Sequence, residues 1–173
     1  KLQTEFDVTP IEETGLSFVE NAILKARHAA KFCNMPVIAD DSGLLVDALN
    51  GAPGLYTARY AGHKATSQDN IQKLLDALIE KPKPYTAHFY CVIVLLQDAQ
   101  DPTPLIFEGR WQGEILTLPQ GSKGFGYDPI FWVKEHQCSA AELAPDIKNT
   151  ISHRGVALAK LIQHIKQAKH VIR

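Results

Sequence analysis

The sequence predicts an α/β protein in which a mixed β-sheet carries helices on its faces. Three observations predict it. A capped helix rich in small residues starts near Phe18 and runs directly into an apolar stretch closed by two acids. Two β-rich runs, residues 85–97 and 105–111, flank a polar turn. A further helical pattern, from about residue 146 to 168, closes the chain.

The elements follow in order. Ser17 and Glu20 have the S-x-x-E spacing of a capping box, which places the first helical residue at Phe18. Phe18, Ala22, Ala26, Ala29, Ala30 and Cys33 form a stripe of mostly small residues, suited to close packing on a sheet. Asn34 and Pro36 end the helix. The run Met35-Pro36-Val37-Ile38-Ala39 then reads as a buried strand whose tip carries Asp40 and Asp41 and opens onto a turn at Ser42-Gly43. Gly51-Ala52-Pro53-Gly54 is a turn, and residues 55–62 read equally as loop or short helix. From Ser67 onward, Ile71, Leu74, Leu75, Leu78 and Ile79 recur at helical spacing until Pro82. Residues 85–97 read as a long strand and 105–111 as its hairpin partner, with 111–118 extending the sheet around Gly113. A glycine-rich loop, residues 121–129, precedes a short strand at 130–133. In the terminal helix, Ile147, Ile151, Leu158, Ile162 and Ile165 are the expected buried seam.

Bulk properties bound the function. A chain of 173 residues fits a single domain that buries about 70% of its unfolded surface. Hydrophobic residues at 45% and charged residues at 21% describe a soluble globular protein. A net charge of −1 argues against a nucleic-acid binder but leaves room for one phosphorylated small molecule. Cys33, Cys91 and Cys138 are odd in number and lack C-x-x-C spacing, so neither a disulfide framework nor a structural zinc site is expected. No run approaches the roughly 20 apolar residues of a membrane helix, and no signal-peptide pattern is present. The expected setting is a reducing cytoplasm, away from any membrane.

The strongest chemical signal is Asp40-Asp41-Ser42-Gly43. Like charges side by side repel unless a cation, a proton or hydrogen bonds offset them. A hard divalent metal with a polyanionic substrate is one natural offset, although the same residues also suit a solvated turn. Glu12-Glu13 read either as favourable charge before a helix or as further metal ligands. The loop from Gly121 to Asp128 matches neither the Walker A pattern nor the dinucleotide fingerprint. It does set Phe125 and Tyr127 among glycines beside Asp128, where an aromatic ring can stack on a nucleobase. A tight turn with Phe125 anchored in the core is the plainer alternative. Lys148 and His153 are five residues apart, off one face of an ideal helix. Joint contact with a ligand therefore needs a helix start or a distortion between them, or a ligand large enough to span.

Taken in order, Ser17-Phe18-x-Glu20-Asn21-Ala22-x-x-Lys25-Ala26, Ala39-Asp40-Asp41-Ser42-Gly43-Leu44, Gly51-Ala52-Pro53-Gly54 with Ala58-Arg59-Tyr60, Gly124-Phe125-Gly126-Tyr127-Asp128-Pro129 and Ser152-His153-Arg154-Gly155 closely resemble the inosine/xanthosine triphosphate pyrophosphatase family. The resemblance implies a mixed sheet strongly bent around a deep cleft between two lobes, a homodimer, and Mg²⁺-dependent hydrolysis of dITP, ITP or XTP to the monophosphate and pyrophosphate. By the same resemblance, Asp41 is the proton acceptor and a metal ligand, and Ser42 touches substrate. Glu12 completes the metal site, with Glu13 as close competitor. Phe125, Gly126, Tyr127 and Asp128 hold the nucleoside, with Phe125 stacking on the base. Lys148, His153 and Arg154 reach the base and its 6-oxo group. Family members begin with a strand leading into a T/S-x-N-x-x-K phosphate-binding segment, which nothing here matches. The expectation is thus one domain over residues 1–173 that lacks that strand and motif. Two alternatives stand beside this reading: a pyrophosphatase for other modified nucleotides, and a non-catalytic nucleotide-binding module.

Overall fold

Ser17 caps the first helix as its spacing predicts, its hydroxyl accepting the Glu20 N–H at 3.3 Å. Helix α1 (Phe18–Cys33) ends at Asn34, whose left-handed backbone (φ 50°) lets its N–H reach Ala30 O. The chain then enters strand β1 (Val37–Val46). The computed structural model describes residues 2–171.

Strand β1 does not stop at the acids. Asp40 and Asp41 lie in its middle, opposite Ile93 and Val92 of β2 (Thr86–Leu96), and Ser42-Gly43 continues the ladder instead of turning. Polar residues are tolerated there because each acid finds charged partners across the neighbouring layer. The hairpin partner of β2 is β3 (Leu105–Ile115), followed by the short β4 (Phe131–Val133) and β5 (Cys138–Ser139). The described residues form a five-stranded, strongly curled sheet in chain order, and every pairing is antiparallel.

Helices cover both faces. Phe18, Ala22 and Ala26 of α1 pack on Val92, Val94 and Leu96. The opposite face of β2, at Cys91 and Ile93, receives Ala157 and Leu161. Further along that second face lies the largest core, where Leu44, Val46, Phe89 and Trp111 meet Leu74 and Leu78 of helix α2 (Ser67–Leu78) and Tyr127 and Phe131. The middle of β1 therefore falls between two packed regions. No helix among the described residues is long and apolar enough to cross a membrane.

Two further sequence expectations change. The terminal helix is broken into α3 (Pro145–Ile151) and α4 (His153–Val171), because Ser152 is extended (φ −66°, ψ 159°). The break resets the helical phase, so Leu158 and Ile162 are each 44% exposed and Ile147 41%, while Ala157 and Leu161 take the buried seam. Helix α2 ends at Leu78, which leaves Ile79 in solvent. Residues Gly54–Arg59 form a 3-10 turn.

Candidate active site

Successive side chains of a strand face opposite sides of the sheet. Asp41 therefore turns toward α1 and Asp40 toward α4. On the α1 side, the Lys25 ammonium donates to Asp41 Oδ1 at 2.8 Å and to Glu13 Oε1 at 3.0 Å. Asn21 Nδ2 reaches Asp41 Oδ2 at 3.4 Å. Asn21 and Lys25 are one helical turn apart on α1 and so share a face. The Asn21 amide oxygen also accepts the Gly15 N–H at 2.8 Å, which holds the preceding segment against the helix. Arg59 completes the group, its Nη1 3.3 Å from Glu13 Oε2.

The electrostatics of this group are uneven. Burial raises the Asp41 pKa, and the Glu13 charge adds to it, outweighing what Lys25 and Asn21 return. Burial also opposes the Lys25 charge, but its bonds to Asp41 and Glu13 win and raise its pKa. Glu13 is the reverse case: burial alone raises its pKa, yet Lys25 and Arg59 bring it below the usual value. The carboxylate that joins Asp41 is thus Glu13, whereas Glu12 is exposed. Glu13, the competitor of Glu12 in the expected metal site, is the one that reaches the Lys25 and Arg59 cations.

On the other face, Arg154 donates through Nε and Nη2 to Asp40 Oδ2 at 3.1 and 2.7 Å. Ser42 Oγ donates to the same oxygen at 3.2 Å. Beyond Ser42 opens a cavity of about 310 Å³ whose lining includes Phe89, Phe125, Gly126, Tyr127, His153 and Arg154. His153 lies nearly parallel to Phe89, ring centroids 4.8 Å apart, with Trp111 further along the same stack. Its Nδ1 is buried and lacks a hydrogen-bond partner among the described residues. Burial, then the Arg154 and Lys148 charges, push the imidazole pKa down to about 4, so it is neutral at physiological pH.

The glycine loop forms the opposite wall. Asp128, 3% exposed, accepts the Phe125 N–H at 2.7 Å and the Lys148 ammonium. Gly124 has φ 78° and no room for a Cβ beside the Asp128 carboxylate, so the turn requires glycine. This hold presents Phe125 outward, 67% exposed, with Lys148 Nζ 4.8 Å above its ring. The core-anchor reading of Phe125 therefore fails; Tyr127 is the anchor, 2% exposed with its hydroxyl donating to Thr57 O at 3.0 Å. The break at Ser152 supplies the distortion between Lys148 and His153 that the spacing requires.

Of the expected site residues, Ser42, Phe125, Gly126, Tyr127, His153 and Arg154 meet at one cavity. Asp128 and Lys148 brace its loop, and Asp41 adjoins it through the strand. Lys25, Asn21, Arg59 and Asp40 were not expected in these roles. The one-turn spacing of Asn21 and Lys25 was the signal that could have found two of them. Among the described residues no group of three or more His, Cys, Asp or Glu side chains stands close enough to form a metal cage. Asp41 and Glu13, bridged by Lys25, still offer the hard oxygen pair that suits Mg²⁺, which binds through one or two carboxylates and completes its shell with water and phosphate.

The sequence model described as the Ham1 family matches residues 1–164. The chain belongs to the Ham1 family. This Ham1-family chain is 56% identical over 168 residues to the dITP/XTP pyrophosphatase of Vibrio cholerae, covering 96% of this chain and 84% of the relative. It is 58% identical over 165 residues to the dITP/XTP pyrophosphatase of Idiomarina loihiensis, covering 94% and 81%. Its fold superposes on a HAM1 protein from Coxiella burnetii with a TM-score of 0.92 at 55% identity, over 95% of this chain and 84% of the other.

Proposed function

We propose that this Ham1-family chain hydrolyses the deaminated purine nucleoside triphosphates dITP, ITP and XTP to the monophosphate and pyrophosphate, removing them from the nucleotide pool. One observation carries the reading. A single cavity joins an exposed aromatic platform, Phe125, and a neutral buried imidazole, His153, to the strand residue next to Asp41. The names of the relatives support the same activity.

The base stacks on Phe125 while the backbone of Gly126 allows close approach. Arg154 and His153 face the purine edge, and Lys148 approaches from above the loop. An acceptor oxygen at position 6 pairs with donors there, whereas the adenine amino group leaves them unpaired, which costs affinity. The triphosphate runs past Ser42 toward Lys25 and Arg59, whose charges balance its own. Asp41 orients a water and takes its proton as the water oxygen bonds to the α-phosphorus. The bond between that phosphorus and the α–β bridging oxygen breaks, and pyrophosphate leaves. Mg²⁺, held by Asp41 and Glu13, would supply neutralisation of phosphate charge when bound. The active form is a homodimer in a reducing cytosol, a setting that three free cysteines suit.

The test is a panel of dITP, XTP, dATP, dGTP and dUTP with pyrophosphate and orthophosphate measured separately. The expected result is pyrophosphate from dITP and XTP at rates far above the others. Preference for dUTP, orthophosphate as first product, or ITP binding without turnover in Mg²⁺ would overturn the reading.

A further inference from the structure

Asp40 has a different place in the molecule from Asp41. Its Oδ2 accepts from Arg154 Nε at 3.1 Å, Arg154 Nη2 at 2.7 Å, Ser42 Oγ at 3.2 Å and the Cys91 thiol at 4.0 Å. That oxygen is given over to neighbouring side chains, the guanidinium above all. Its main partner is poorly suited to its own position: Arg154 lies in the first turn of α4, where exposed N–H groups already carry partial positive charge. Left alone, that guanidinium would extend into water. Asp40 instead fastens the Nε–Nη2 edge, and Arg154 lines the cavity together with His153. The fastening point is on β1, one residue before Asp41 and two before Ser42.

We infer that Asp40 is a positioning residue for base recognition: it holds Arg154 against the cavity so that the free edge of the guanidinium reads the purine, and it takes no part in the chemistry. The inference rests on the proposed activity and deepens it. A carboxylate fixing one edge of a planar donor fork leaves the other edge oriented in advance, which lowers the ordering cost of binding. The effect belongs in substrate affinity and in discrimination between bases.

The experiment is a double-mutant cycle with Asp40→Asn, Arg154→Ala and the pair, read as KM and kcat for dITP and dATP and as ITP affinity by calorimetry. Asp40→Asn is expected to weaken dITP binding and raise KM about 10- to 100-fold, the range for losing a charge-assisted hydrogen bond. kcat should hold within about 3-fold, and the preference for dITP over dATP should shrink. Combined with Arg154→Ala, Asp40→Asn should add nothing further, because it acts only through that side chain. Additive losses in the pair, a fall in kcat at unchanged KM, or unfolding of Asp40→Asn would overturn the inference. Unfolding would mark Asp40 as a strut between strand and helix. A parent chain that neither binds nor hydrolyses ITP would instead overturn the activity itself, and the inference with it.

Discussion

Asp41 is costly to bury, and that cost is visible in how its mutant should behave. Its pKa in the folded protein is raised, so its contribution to stability is present below the ordinary value of 3.8 and is lost as pH climbs through the folded value. Asp41→Asn is therefore expected to be at least as stable as the parent at pH 7, the difference closing in strong acid. Turnover should drop by about 10²- to 10⁴-fold, since charge and basicity go together. Parallel melting curves and dITP kinetics check both. His153 gives the opposite titration. Its pKa falls from 6.5 to about 4 on folding, so its contribution is whole above 6.5 and disappears as pH falls toward 4. At pH 5 that amounts to about 2 kcal/mol. His153→Phe, which keeps the stack on Phe89 and removes the unpaired Nδ1, should lose much less stability between pH 7.5 and 5 in urea titrations, while binding dITP more weakly. At this scale the aspartates, Ser42 and the Phe125 loop were legible because motif order marked them. Glu13 was not separable from Glu12, because the choice depends on which carboxylate meets Lys25 and Arg59, residues 12 and 46 positions away.

The elements were readable where local chemistry decides them. Ser17 and Asn34 bound α1 by capping, and the turn around residues 98–102 sets β2 against β3. The sequence misled where a tertiary demand overrode the pattern. An acidic pair looks like the end of a strand, yet β1 continues because α1 and α4 supply cations to its two sides. The terminal helix looks continuous, yet the break at Ser152 lets α3 carry Lys148 to the loop while α4 carries His153 to the cavity. Helix α4 is set by contact with β3 at Gly109, where a Cβ would meet the backbone of His153 and lie 2.8 Å from the Ala157 nitrogen. Gly109→Ala is expected to destabilise the fold by about 1–3 kcal/mol through this overpacking. Because the first turn of α4 must retreat, KM for dITP should also rise. Denaturant titration and steady-state kinetics on one preparation test both effects.

For the whole molecule, a net charge of −1 argued against a nucleic-acid binder, and the order of motifs pointed to one nucleotide site. The bend of the sheet was expected from the resemblance, but the all-antiparallel order and the separation of the two acids were not legible, since both depend on the pairing of β1 with β2, about 50 residues apart in sequence. Two outcomes belong here. Chelation with EDTA should abolish pyrophosphate release, and Mg²⁺ should restore it, while the far-ultraviolet circular dichroism stays unchanged because Lys25 already bridges Asp41 and Glu13. Sedimentation should give twice the 19.1 kDa chain mass, and a monomer would reject the homodimer.

Neighbouring aspartates with opposite outlooks make β1 intolerant of a change in length. Deleting one residue just ahead of them would shift the strand by a single step and hand Asp40's place to Asp41. Asp41 would then be clasped by Arg154, and Lys25 would face an apolar or hydroxyl side chain. This segment keeps its count or loses both halves of the site at once.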